Sequence, residues 1–129
     1  MKKLLTSLVL GLALSATGCG VFHAHAPVPG AVNSFDSDTY LGLATAKGVI
    51  DQTKADLASN AFPASIADKV KSAVNDAVKT YNVADVTYQA YHNAAVQGTS
   101  TPAQQAAVTT AVNNLNTSIK AVTAAKAGN

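Results

Sequence analysis

Arginine, glutamate and tryptophan are absent from this chain of 129 residues, and cysteine occurs once, at Cys19. A lone cysteine excludes an intramolecular disulfide, so the folded state rests on packing alone. Without arginine there is no guanidinium fork to grip phosphate through two parallel hydrogen bonds. That absence argues against nucleic acid as a partner. Aromatic residues make up 5% of the chain and charged residues 12%, so any core is built largely from small aliphatic side chains and is modest in stability. Chemical motifs are missing too. The sequence holds no glycine-rich phosphate loop, no HExxH and no Ser-His-Asp order. Asp36-Ser37-Asp38 begins like a calcium loop but lacks the ligands that complete one. The chain therefore reads as non-enzymatic, with no cofactor.

The amino terminus carries the most specific pattern. Lys2 and Lys3 precede an apolar run from Leu4 to Leu14, then small residues lead to Ala16-Thr17-Gly18-Cys19. The run is well short of the ~20 apolar residues that cross a bilayer as a helix. It has the layout of a secretory signal over residues 1–18, which is removed on export. The obligatory-cysteine ending resembles the processing site of bacterial lipoproteins. Ala16 stands where that class prefers leucine. The resemblance covers residues 1–19 and implies lipidation of Cys19, attachment to a membrane through that lipid, and cleavage before the cysteine. Gly20 stands where an aspartate commonly retains such proteins in the inner membrane, so the resemblance implies the outer membrane. Two or three acyl chains hold firmly, since each buried methylene contributes ~0.8 kcal/mol.

Removing residues 1–18 takes away Lys2 and Lys3, after which seven lysines balance seven aspartates. The basic balance of the whole chain belongs to the signal. Residues 19–35 contain Pro27, Pro29, Gly20 and Gly30 without apolar periodicity and read as a lipidated, flexible tether. His23 and His25 in that tether are candidate ligands for copper, nickel or zinc. Two solvated imidazoles in a linker is the ordinary alternative.

Residues 36–127 read as one all-α domain, a three-helix up-down-up antiparallel bundle with helices at about 36–60, 64–97 and 102–127. The first is read with Asp36 as N-cap and Phe35 and Tyr40 as a hydrophobic staple, and its stripe runs Tyr40, Leu43, Ala46, Ile50, Thr53, Leu57. In the second, Pro63 opens the helix and Ser65 and Asp68 form a capping box. A coiled-coil-like seam follows at Ala67, Val70, Val74, Ala77, Tyr81, Ala84, Tyr88, Tyr91 and Ala95. The third starts at Thr101-Pro102-Ala103-Gln104, with a stripe of Val108, Val112 (Ala111 beside it), Leu115, Ile119, Val122 and Lys126. On the surface, Asp51 and Asp68 are spaced to pair with Lys54 and Lys71.

Antiparallel packing gathers Phe35, Tyr40, Tyr88, Tyr91 and His92 at the end of the bundle nearest the lipid. Tyr40, Tyr88, Tyr91 and His92 are thus the candidate binding residues, as an aromatic pocket or a surface meeting headgroups or a partner. Alternatively the rings fill the wide end of an alanine-rich core, where small residues would leave voids. The expected role is structural or docking, with an envelope protein or a second copy as partner. A small-ligand or metal carrier is the alternative. The heptad spacing and lipid resemble, loosely, the murein-linked lipoproteins, but the chain ends Lys126-Ala127-Gly128-Asn129 rather than in their terminal lysine.

Overall fold

The computed structural model describes residues 29–128. Three helices account for most of them: α1 (Ser34–Ala58), α2 (Ala64–Val96) and α3 (Pro102–Lys126), packed as an all-α three-helix bundle. Cys19, His23 and His25 lie outside the described residues.

α1 begins two residues before the expected start. Its N-cap is Asn33, in extended conformation, whose Oδ1 accepts the Asp36 N–H at 2.9 Å. Asp36 is therefore not the cap but the third residue of the first turn. The proposed staple fails with it: Phe35 lies within the first turn, and Tyr40 is 51% exposed. α1 ends in a Schellman arrangement. Asn60 takes a left-handed φ of 54°, its N–H donates to the Leu57 carbonyl, and the Ala61 N–H reaches the Asp56 carbonyl at 2.9 Å.

The α2 start also differs from the expected one. Pro63 is the N-cap, its carbonyl accepting the Ile66 and Ala67 N–H groups, and no side chain caps the helix. Ser65 sits inside the first turn, two residues past the cap position, so the Ser65–Asp68 box does not form. At the other end Gly98 adopts φ 70°, with the Thr99 N–H bonded to the Ala94 carbonyl at 2.8 Å. α3 follows expectation. Thr101 Oγ1 accepts the Gln104 N–H, Gln104 Oε1 accepts the Thr101 N–H, and Pro102 occupies the first turn, where its missing N–H costs nothing.

The core runs along the axis between Leu43, Ala46 and Ile50 of α1, Val70, Val74, Ala77, Ala84 and Tyr88 of α2, and Ala111, Leu115, Ile119 and Val122 of α3. Thr53 fills the gap in the α1 stripe. It is fully buried and satisfied, its hydroxyl donating to the Val49 carbonyl at 2.7 Å. α2 and α3 pack most extensively against each other, with alanines buried at 77, 84 and 111. Ala111, not Val112, takes the core position, because only a small side chain suits the close approach of those two helices. Val112 turns towards a wider groove between α1 and α3.

Surface charge pairs differ from those read off the spacing. Asp51 pairs with Lys47 and Asp76 with Lys79. Asp56 meets Lys126 at 3.7 Å, linking the ends of α1 and α3, while the Lys126 ammonium lies 5.9 Å from the Phe62 ring centroid. No ion pair joins Asp51 to Lys54 or Asp68 to Lys71 among the described residues. Among those residues, no helix is long and apolar enough to cross a membrane.

Two glycine substitutions should move stability in opposite directions. Gly98→Ala forces a side chain into the left-handed region at the α2 terminus, and chemical denaturation should show a loss of ~1 kcal/mol. Gly42→Ala, inside α1 with no atom within 4 Å of the new Cβ, should raise monomer stability by up to ~1 kcal/mol.

Candidate functional site

Where the chain enters the bundle, a single carboxylate collects donors from three places. Asp36 is completely buried. Its Oδ2 accepts the Val32 N–H at 2.9 Å, just ahead of α1. His92 Nδ1, near the end of α2, lies 2.9 and 3.0 Å from its two oxygens. The Tyr88 hydroxyl, one turn earlier on α2, donates to the same carboxylate. A carboxylate only accepts, so His92 carries a hydrogen on Nδ1. The Tyr88 and His92 rings are tilted neighbours with centroids 5.9 Å apart.

A second set of contacts lies beside the first. Tyr91 is 1% exposed, and the Phe35 ring meets it edge to face at 5.1 Å. The Tyr91 hydroxyl accepts from Asn33 Nδ2 at 3.0 Å and from Gln105 Nε2 at 3.3 Å. Asn33 thus caps α1 with its oxygen and holds α2 with its nitrogen, while Gln105 brings in α3. All three helices are joined at this end by side-chain polar contacts around buried rings. No buried side-chain polar atom among the described residues is left without a partner.

Tyr88, Tyr91 and His92 do come together as the helix spacing suggests. Tyr40 does not: it is half exposed and makes no ring contact with them. The arrangement is also packed rather than hollow. A surface groove of about 430 Å³ lies along α1 and α3 and is lined by none of these residues. No group of three or more potential metal ligands occurs among the described residues.

Asp36 is the residue that sequence reasoning misplaces. A signal for it exists: Asn33 precedes it by three, the spacing of a capping box with an acidic third residue. Here the acid reaches back to the N–H of Val32 rather than to that of Asn33. The contact with His92, 56 residues away, has no local signal.

Burial pushes the Tyr88 phenol above its usual 10.0, and donation to Asp36 adds to the effect. Tyr81 is raised in the same direction, first by burial and then by Asp85. Chemically the cluster can hold a proton on Tyr88 and orient an imidazole. Comparison with known proteins adds no relative: no family model, curated protein or solved structure matches the chain.

Asp36→Ala should therefore destabilise the fold by about 3 kcal/mol in chemical denaturation, since it strands buried donors and uncouples the α1 start from α2. The raised phenols predict an alkaline limit. Below pH ~10 the Tyr88 contribution is fully present; above it the unfolded chain releases its proton first, so stability falls as pH rises. Thermal unfolding followed by circular dichroism should show the midpoint dropping above pH ~10. Tyr88→Phe should flatten that decline.

Proposed function

We propose that this chain is a lipid-anchored, non-enzymatic helical module of the bacterial cell envelope, acting as a structural or docking element on the outer membrane. The observation that carries the reading is how the leading segment is fastened. The chain arriving from Cys19 is tied at Val32 and Asn33 to the carboxylate of Asp36 and the hydroxyl of Tyr91, and through them to α2. A domain held by its amino terminus passes any pull on its anchor into that end. Polar ties spanning all three helices suit such a load better than a frayed first turn.

Two further points support the reading. The pattern at residues 1–19 supplies a lipid attachment, and no described helix supplies a transmembrane one. The polar groups of the buried cluster are occupied with one another, so they serve to join helices rather than to receive a substrate.

Growing the producing bacterium with radiolabelled palmitate should label the protein. Cys19→Ser should abolish the label and leave the precursor-sized form in the membrane fraction. An unlabelled wild-type protein of mature size would overturn the anchor.

A further inference from the structure

One flank of α1 is nearly symmetric about Thr45. Counting outward from that residue, Gly42 matches Gly48, Leu41 matches Val49, and Asp38 matches Gln52. At 100° per residue these seven positions fall within an arc of ~120° centred on Thr45. The arc is poorly covered by the other described residues. Leu41 is 45% exposed, and Gly42, Thr45, Gly48 and Gln52 are all exposed. One side of it forms the wall of the 430 Å³ groove, where Leu41, Gly42 and Val49 of α1 face Val112 and Ile119 of α3.

Nothing among the described residues explains the two glycines. Both lie inside a regular helix, neither has positive φ, and a Cβ at either would meet nothing within 4 Å. Each weakens the helix by ~1 kcal/mol relative to alanine. Glycine on an exposed helical face does, however, permit a second backbone to approach closely.

We propose that this face is the contact between two copies of the chain, with α1 antiparallel to its counterpart across a two-fold axis at Thr45. A two-fold contact requires a patch complementary to itself, and this one is. Leu41 of each copy meets Val49 of the other and enters the groove beside α3. Gly42 meets Gly48, so the helices lie close where there are no side chains. Polar groups are matched as well: the same axis sets Asp38 against Gln52, an acceptor against an amide donor, and opposes no two carboxylates. Asp38 makes no side-chain hydrogen bond or ion pair within its own chain among the described residues.

A single helix pair buries less than the ~1,600 Å² of a standard interface, so the pairing is weak in free solution. Confinement of both copies to one surface raises their effective concentration. The proposal deepens the docking role by naming the partner, and it rests on that reading only for the membrane setting.

The test is cysteine cross-linking of the full chain in detergent, with copper phenanthroline and air as oxidant and the joined positions read by mass spectrometry. Thr45, Gln52 and Val83 are exposed and Asp38 is half-buried without a side-chain partner among the described residues, so the bundle should remain folded. Thr45→Cys should form a homodimer about tenfold faster than Val83→Cys, an exposed control on α2, because the axis holds its two thiols together. Asp38→Cys alone and Gln52→Cys alone should join no faster than the control, since each would lie ~21 Å from its own copy. The two mixed should join readily. Thr45→Cys no faster than the control, or Asp38→Cys alone as fast as the mixture, would overturn the pairing. So would capture of a different protein at position 45 with no homodimer. A disulfide found at Cys19 would overturn the lipid anchor instead and leave the result at position 45 to be read separately.

Discussion

One buried carboxylate governs how this protein is put together. An aspartate taken wholly out of water is costly unless its oxygens are satisfied, and Asp36 meets that demand with a backbone N–H before α1, an imidazole and a phenol. Those donors come from Val32, ahead of α1, and from Tyr88 and His92, near the end of α2. Satisfying the charge therefore fixes where α1 begins, how the end of α2 lies beside it, and which nitrogen of His92 carries hydrogen. Asn33 and Tyr91 repeat the logic with neutral groups and extend it to α3 through Gln105. The aromatic rings at this end serve as supports for polar ties as much as apolar filler.

Away from that end the bundle is held by thin material. Alanines at 77, 84 and 111 let α2 and α3 approach closely, and Leu115 and Val122 are fully enclosed there. α1 packs less extensively against α3 than α2 does, and a groove walled by Leu41, Val49, Val112 and Ile119 lies between them. The two features have one origin. A core of small residues packs two helices well, and the third then lies on a surface too narrow to cover both its flanks. Lys126 ties the far end by spanning Asp56 and Phe62, though its half-exposed ion pair contributes little.

The proposed role joins these two halves. The polar knot sits where an anchored chain would be pulled, and the under-covered flank of α1 sits along the side of the post, free to meet a neighbour. Neither feature asks for catalysis. On that reading the protein acts by where it is held and by what it stands beside, through attachment and association. The near-symmetry of α1 about Thr45 gives the association a definite partner and orientation.

Apolar spacing and chain punctuation by themselves determined three helices in a bundle. Val70 to Tyr91 keep one face of α2 buried, and Gly98, Thr101 and Pro102 mark a helix end and a helix start through local backbone chemistry alone. The same spacing placed Tyr88, Tyr91 and His92 at one end. What it could not supply was any choice that depends on a distant group. Ser65 carries a capping pattern but has the wrong phase once Pro63 ends the preceding turn. Val112 fits its stripe as well as Ala111 does, until the closeness of α2 selects the smaller side chain. Asp36 is a plausible cap until His92 and Tyr88 arrive to satisfy it as a buried charge. Local sequence sets which backbone conformation each segment prefers; which polar groups are buried together, and which flank stays open, is decided only when the helices meet, because desolvation and close packing are properties of the assembled whole.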